Sequence, residues 1–519
     1  MPSYDAIVIG GGTNGLAAAA RLAKGRLKVL VLEGASALGG GARTKEFAPG
    51  FKVSPVAHLL YLLDRRVENG LDLKAHGLSY AASNIATTAL SQSGDHLKLN
   101  GAYGETLGGK IDHSEQMAWR ELRARLLRFA SVLGPFKEMT PPRLGTMNRD
   151  LLTLGRLGLK IKTLGRDEMR EFLRLILINV ADVLDDELTD ERLKGVIAFD
   201  ATLGTHLGPR SPNSLLLLYN RLAGAANGVP AGIALPRGGM SAVADAMGRA
   251  AKALGVDTRT GAKIESIIVE KDRAAGVKLA GGEEIRAKLI VSAVNPKTTF
   301  LDLLGTRHLD TGFVRRVSNI RMRGNAAKLH LALNAAPDFR GADLKSRLVI
   351  APSVRAVENA FNPAKYHEFS IEPVMEFIVP SALDSSLAPS GQHVLSAIVQ
   401  YAPYQLKGGW EAGRAQFQDK IMSVLERHAP GIGKLVTASE LLTPEDLEQQ
   451  YGFVGGNWHH GELAVEQMLF LRPAIGAAQY DTPMRGLYLA SAGSHPGGGI
   501  SGAAGWNAAE RILSVEGKS

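Results

Sequence analysis

Six residues near the N-terminus, Gly10-Gly11-Gly12-Thr13-Asn14-Gly15, have the types and spacing to hold a diphosphate. In the pattern G-x-G-x-x-G, Gly10 permits a tight turn and Gly12 lets the backbone lie against a pyrophosphate. Gly15 lets a helix pack closely on a strand. The flanking sequence fits those demands. Tyr4 to Ile9 reads as a buried strand, Leu16 to Ala23 as an alanine-rich helix, and Lys28 to Leu32 as a second strand ending at Glu33. The helix N-terminus offers free N–H groups and the positive end of its dipole to phosphate oxygens, and Thr13 and Asn14 lie in the loop that leads into it. Glu33 stands where a carboxylate accepts hydrogen bonds from ribose hydroxyls. The expectation is a strand–turn–helix dinucleotide site.

A second glycine cluster follows at once, Gly39-Gly40-Gly41-Ala42-Arg43-Thr44, and then Pro49-Gly50-Phe51. A nicotinamide site has no need of more glycine so soon after the ribose acid. The cluster points to a longer ligand, with Arg43 available to its pyrophosphate. Near the other end, Gly486 to Gly493 reads as a buried strand. It leads through Ser494-His495-Pro496-Gly497-Gly498-Gly499-Ile500-Ser501-Gly502 into a helix of small residues, Ala503 to Leu513. Gly497-x-Gly499-x-x-Gly502 repeats the fingerprint formally. The 17 residues after Gly502 leave no room for a second strand with its acid. The better expectation is a loop and helix N-terminus aimed at the ring end of the same ligand, which would then be FAD. There the dipole stabilises negative charge building on the ring.

Between these ends, Leu235-Pro236-Arg237-Gly238-Gly239-Met240 precedes an alanine-rich helix to Leu254. Strands follow over Ile264 to Glu270 and Gly276 to Leu279, and the apolar run Leu289 to Val294 ends at Asn295-Pro296. This reads as an accessory hairpin layer returning to the nucleotide sheet. No other G-x-G-x-x-G opens a strand–helix–strand unit, so no dedicated NAD(P)H site is expected.

The N-terminal fingerprint, Pro236-Arg237-Gly238-Gly239-Met240 and Gly493-Ser494-His495-Pro496-Gly497-Gly498-Gly499 together resemble phytoene-desaturase-type flavoproteins of the amine-oxidase and glutathione-reductase-like superfamily. Pro49-Gly50-Phe51-Lys52-Val53-Ser54, Gly455-Gly456-Asn457 and Ala503-Ala504-Gly505-Trp506-Asn507-Ala508-Ala509 are similar to the branch called pyridine nucleotide-disulphide oxidoreductase domain 2. The chain holds no cysteine, which removes disulfide chemistry and any thioether link to flavin. The resemblance implies FAD bound non-covalently, with pyrophosphate against Gly12, Asn14, Gly15 and Arg43. It places ribose on Glu33, adenine near Ile264, and the flavin ring near Gly493, Ser494, Gly499 and Ile500. The cofactor-binding set on this reading also takes in Gly10, Thr13, Gly40, Gly41 and Thr44. Carotene desaturases carry an arginine directly after the glycine doublet, whereas Gly41-Ala42 precede Arg43 here.

Such flavoenzymes move a hydride between a substrate carbon and the flavin, and the cofactor carries the hard chemistry. Polar candidates beside the ring are few. Ser54-Pro55-Val56-Ala57-His58 would run past it on the family path, making His58 a candidate acid/base or a packed histidine. His495 sits in the glycine loop, and His459 and His460 follow Gly455-Gly456-Asn457-Trp458 as candidate substrate contacts. None of these has carboxylates at metal-ligand spacing, so no metal is expected. Leu215-Leu216-Leu217-Leu218-Tyr219 reads as core more than pocket.

The elements that must hold these residues give an α/β fold: a glutathione-reductase/amine-oxidase-like Rossmann FAD-binding domain interleaved with an α+β substrate domain. The FAD domain is assigned to 1–75, 230–300 and 481–519, and the substrate domain to 76–229 and 301–480. Ala327 to Leu333 and Val374 to Ile378 read as strands of the latter, and Trp410 to His428 as a helix. Hydrophobic residues at 45% and charged residues at 21% of 519 are ordinary for a globular chain with large cores. The net charge of +9 has a local source, since residues 117–174 hold thirteen Lys/Arg against six acids, with leucines at helical spacing. That pattern fits a solvated helix face or a peripheral contact with anionic membrane. Nucleic acid is disfavoured, because no base-reading module or stacking platform is evident. The strand at Tyr4 leaves no room for a leader and no apolar run spans a bilayer, so the expected location is cytoplasmic. The leading expectation is an FAD-dependent oxidoreductase acting on an apolar small molecule, reoxidised by oxygen or a quinone. The alternatives are a redox-neutral isomerase using reduced flavin on a polyene, and a flavin-stabilised scaffold without catalysis.

Overall fold

The computed structural model of the chain describes residues 4–143, 155, 158, 159, 162, 163 and 165–517. The strand Tyr4–Ile9 forms where expected, its last four residues buried, as a parallel strand covered on both faces requires. It pairs in parallel with Val29–Leu32 on one side and with Glu284–Ser292 on the other. Asp257–Arg259 extends the parallel sheet beyond Val29–Leu32, and Leu487–Leu489 extends it beyond Glu284–Ser292. The first half of Glu284–Ser292 instead pairs antiparallel with Arg273–Leu279, which pairs with Ile264–Glu270. One long strand therefore joins the nucleotide sheet to the hairpin layer that the sequence pattern placed beside it.

Three helices cover one face of this sheet. Thr13–Lys24 packs between Ser241–Ala253 and Ala503–Glu516, and its alanines 17 to 20 are fully buried. Small residues let the axes approach closely. A Cβ on Gly505 would lie 1.8 Å from the carbonyl oxygen of Asn14. The strand expected over Gly486 to Gly493 is shorter, ending at Leu489. Its continuation is captured by a turn in which Ser494 N–H donates to the Ser491 carbonyl (2.9 Å) and Gly493 N–H to Ser491 Oγ (3.1 Å).

A second, eight-stranded sheet runs in the order Val436–Leu442, Ala326–Leu333, His393–Gln400, Val374–Ile378, Arg347–Ile350, Thr87–Ala89, Leu97–Asn100, Thr106–Gly108. The helix Trp410–His428 packs Trp410, Phe417, Ile421 and Leu425 against its face. The helices His113–Lys137, Glu191–Thr202 and Ser214–Leu222 build a separate apolar core with Val349 and Tyr401. Two links join the sheets. The hairpin Lys45–Ala48/Phe51–Val53 seats Phe51 and Val53 on Ala332 and Val394, and Tyr80–Ser83 pairs with Ala234–Pro236. Residues 54–62 pass between these links.

The basic stretch is less bare than its sequence implies. Arg125 is ion-paired with Glu187, Arg128 with Glu168 (2.9 Å), Arg174 with Glu171 (2.8 Å), and Arg143 with Asp481 (2.6 Å). Two of those acids lie outside the stretch. Arg123 donates to the carbonyls of Tyr103 and Ala102, and the half-buried Lys137 donates to the carbonyl of Asn220. Arg149, Arg156 and Lys160 lie outside the described residues. Among the described residues no helix is long and apolar enough to cross a membrane.

Candidate functional site

A cavity of ≈ 500 Å³, within the usual range for small-molecule sites, runs between the two sheets. Its wall begins at the fingerprint. Gly10 takes φ +96°, which a side chain would strain, and a Cβ on Gly15 would lie 2.0 Å from the Gly10 carbonyl. Gly12 differs from both. A Cβ there would meet only the Cα of Gly40, at 3.8 Å, so the glycine holds space open. No side chain caps the helix Thr13–Lys24, and its first backbone bond is from Leu16 N–H to the Gly12 carbonyl. The preceding amides are therefore free for an anion. Asn14 Oδ1, buried at this helix start, makes no hydrogen bond within the described residues.

Glu33 is oriented before any ligand arrives. Gly11 N–H donates to its Oε2 (2.7 Å) and Ala35 N–H to its Oε1 (2.8 Å), leaving each oxygen further acceptor capacity toward the cavity. Gly34, Lys263 and Ile264 line the wall beside it. Gly40, Gly41 and Arg43 form the opposite side. Arg43 Nε donates to the Gly40 carbonyl (3.2 Å), and its guanidinium lies over the Tyr451 ring. Gly498, Gly499 and Ile500 of the C-terminal loop line the same cavity as the N-terminal fingerprint, so both glycine motifs face one space. The open cradle at Gly12, the free helix amides and the fixed carboxylate of Glu33 together fit an adenine dinucleotide.

Four residues expected beside the ligand stand back from the cavity wall. Thr44 Oγ1 accepts from Ser241 N–H (3.1 Å) at the start of the helix Ser241–Ala253. Gly493 is packed on Pro296, where a Cβ would lie 2.4 Å away. Ser494 is buried in the turn at Ser491. His495 Nε2 donates to the Phe136 carbonyl (2.5 Å), which points its ring toward the helix His113–Lys137. The short strand Leu487–Leu489 accounts for the placement of the last three, since the chain turns at Ser491 and rejoins the cavity wall only at Gly498.

His58 does line the cavity, and it belongs to a buried polar network. Its Nε2 meets Glu376 Oε1 (3.1 Å), and its Nδ1 meets Lys328 Nζ (2.9 Å) and Ser396 Oγ (3.3 Å). Burial and the neighbouring Lys328 push its pKa down to about 4. The ring is therefore neutral, donating from Nε2 to the carboxylate and accepting at Nδ1 from the ammonium. Burial lowers Lys328 to about 7. Burial opposes ionisation of Glu376, yet Arg347 and His58 hold it well below the ordinary carboxylate range. Arg347 is buried between Glu376 and Asp200, meeting Asp200 Oδ1 at 2.5 Å. Asp200 also pairs with Arg221.

His459 and His460 line the cavity too. His459 Nε2 accepts from Trp458 Nε1–H (3.0 Å). Burial, then Arg472, lowers His459 to about 3 and His460 to about 4. Arg472 holds this loop against the C-terminal segment, donating to the carbonyls of His459 (2.6 Å) and Ala492 (2.8 Å). Sequence reading passed over Arg472, Glu376, Arg347, Lys328, Asp200 and Arg221. Two of them gave a signal, since Glu376 interrupts an otherwise apolar strand and Lys328 stands, with His330, in a fully buried one. Of Leu215 to Tyr219, Leu215, Leu218 and Tyr219 are core as expected, but Leu217 faces the cavity.

The fold and site define a two-sheet flavoprotein with a dinucleotide cradle opening onto a second chamber. The flavin-containing amine oxidoreductase family matches residues 15–513, and the chain belongs to it. It is an FAD-dependent oxidoreductase. The chain is 33% identical to pyridine nucleotide-disulfide oxidoreductase domain-containing protein 2 of Rattus norvegicus, covering 99% of this chain and 94% of that protein. It is 25% identical to one of the limonene dehydrogenase polypeptides of Castellaniella defragrans, over 98% and 94% of the two chains. Wild-type putrescine oxidase bound to putrescine superposes with a TM-score of 0.60 over the full length of both chains, at 16% identity.

Proposed function

We propose that the protein dehydrogenates a predominantly apolar small molecule. The observation that carries this reading is the continuity of the cavity. From Gly12 and Glu33 it runs unbroken to a chamber walled by Leu59, Leu62, Leu203, Leu217, Ile398 and Leu463. FAD, when bound, supplies the hydride acceptor. The leucines shape a dry volume that holds a substrate carbon in reach and excludes water from the transfer. His58, His459 and His460 are neutral there, so they present imidazoles and not cations to the substrate. The likeness to the limonene dehydrogenase polypeptide, named for an apolar terpene, supports the same class. We assign reoxidation to a diffusible acceptor, oxygen or a quinone, since no second fingerprint opens a strand–helix–strand unit for NAD(P)H.

The test is anaerobic mixing of the FAD-loaded protein with a cyclic monoterpene, its carboxylic-acid derivative and, for contrast, putrescine. Loss of visible flavin absorbance with the terpenoid compounds and none with the diamine is the expected result. Bleaching by the diamine alone overturns the apolar assignment.

A further inference from the structure

Among the leucines of the chamber stand three charged groups of the buried network, Asp200, Glu376 and Arg221, beside the neutral His58. A charge costs free energy to bury, and each unpaired donor or acceptor left in a dry wall adds to that cost. The network meets these costs unevenly. Arg347 shows a buried guanidinium that is fully engaged, with Asp200 and Glu376 at its N–H groups and side-chain exposure of 1%. Arg221 is held differently. Its Nη1 is ion-paired with Asp200, its Cζ lies 5.3 Å from the Tyr61 ring centroid and 5.8 Å from that of Tyr103, and beyond that ion pair its side-chain N–H groups make no hydrogen bond among the described residues.

Which member faces the cavity decides the sign of the partner. The Arg221 side chain keeps 10% of its surface, whereas that of Asp200 keeps none and that of Glu376 4%. The acids are covered by their own arginines, and the accessible group is the cation. The balance of charge agrees. Arg221, Arg347 and Lys328 face Asp200 and Glu376, with neutral His58 between Lys328 and Glu376. With Lys328 protonated the set carries one positive charge more than it carries negative. An anion completes it and an amine does not.

The geometry points to Arg221 as a specificity residue that receives a carboxylate carried by an otherwise apolar substrate. A guanidinium presents paired N–H donors in a plane that matches a carboxylate's two oxygens, and the contacts with Asp200, Tyr61 and Tyr103 hold the side chain in place before binding. The leucine wall takes the hydrocarbon part. The substrate class is a hydrophobic carboxylic acid, dehydrogenated at a carbon of its apolar portion. This rests on the apolar chamber assigned above and narrows it.

Octanoate and 1-octanol serve as matched, unreactive probes, titrated into FAD-loaded protein and followed by the shift of the flavin's visible spectrum. Wild-type protein is expected to bind octanoate about tenfold or more tightly than octanol, the scale of a charge-assisted hydrogen bond in a dry site. In Arg221→Leu that preference disappears, with octanol affinity and FAD content unchanged. Arg221→Lys, which keeps the charge and loses the planar fork, retains part of the preference and guards against a Leu variant that fails to fold. Equal affinities in the wild type, or a preference that survives Arg221→Leu, overturn the assignment to Arg221 while leaving the apolar chamber standing. Loss of FAD from both variants also overturns it, since the arginine would then hold the cofactor. If neither probe binds wild-type protein, the apolar-chamber reading falls and this one with it.

Discussion

Gly12 and Gly15 sit three residues apart in one motif, yet their surroundings ask for different things. At Gly12 the backbone has φ −71° and ψ 174°, extended values that alanine adopts freely. A methyl there would meet only Gly40, in space the chain itself does not use. Gly12→Ala is therefore expected to fold, with apo-protein stability within about 0.5 kcal/mol of wild type, and to purify without FAD because the methyl takes the pyrophosphate's place. At Gly15 a methyl would lie 2.0 Å from the Gly10 carbonyl and 3.2 Å from Ala293 Cβ, both tied by backbone hydrogen bonds to the ends of the central strands. Gly15→Ala is expected to fail in folding itself. Thermal melts of the apo proteins, set beside flavin absorbance of the purified ones, separate the two effects. A yellow Gly12→Ala protein would mean that the diphosphate lies elsewhere. Glu33 also gains meaning from its neighbours. Because Gly11 N–H and Ala35 N–H each occupy one of its oxygens, an amide at this position would turn an NH₂ toward a backbone N–H.

At the scale of elements, the central fact is that one arginine ties three of them. Arg347, at the start of the strand Arg347–Ile350, binds Asp200 on the helix Glu191–Thr202 and Glu376 on the strand Val374–Ile378. Arg347→Met keeps the volume and leaves Glu376 buried with only His58 beside it. A cost of about 3–5 kcal/mol in denaturant unfolding is expected. A loss below about 1 kcal/mol would show that water reaches the carboxylates. This network is also where reading the sequence stops short. The nucleotide unit is legible because its demands are local: a turn needs glycine at Gly10, a helix start needs free amides, and an acid closes the next strand. The helix Trp410–His428 and the strand Val374–Ile378 emerge with the expected bounds, since periodicity and apolar content fix them within one element. The helix after the C-terminal glycines runs to Glu516, one turn past its expected end. The partners of His58 come from positions 328, 376 and 396, three different strands, and only the register of the second sheet brings them together. The strand at Leu487 breaks early for a similar reason, because Ser491 makes its own turn in place of continuing the ladder.

Over the whole molecule, buried bases dominate the response to pH. Seven histidines, at 58, 206, 330, 428, 459, 460 and 495, have pKa values below the ordinary 6.5, with burial the largest cause in each. Those at 58, 206, 460 and 495 fall to about 4. The unfolded chain takes up protons as pH falls through 6.5, while the folded chain refuses them until about 4. The unfolded state therefore binds more protons across that window, and stability falls with falling pH. Each pKa unit is worth about 1.4 kcal/mol once fully developed, so several such groups acting together outweigh a surface ion pair. Glu376, held low by Arg347 and His58, acts in the same direction below its ordinary 4.5. Lys328 and Lys137, lowered by burial to about 7 and 8, refuse protons above those values that the unfolded chain holds up to 10.5, so they make stability rise with pH there. All of these slopes have one sign. The thermal midpoint is expected to drop steeply between pH 7 and pH 5, well before most surface carboxylates titrate. Because burial and not exposed charge repulsion drives the loss, added salt should rescue little of it, whereas repulsion among surface cations would be screened. Thermal melts at pH 7, 6 and 5 in low and high salt decide the matter. A flat midpoint across that range, or one restored by salt, would mean that water reaches these imidazoles in the folded protein.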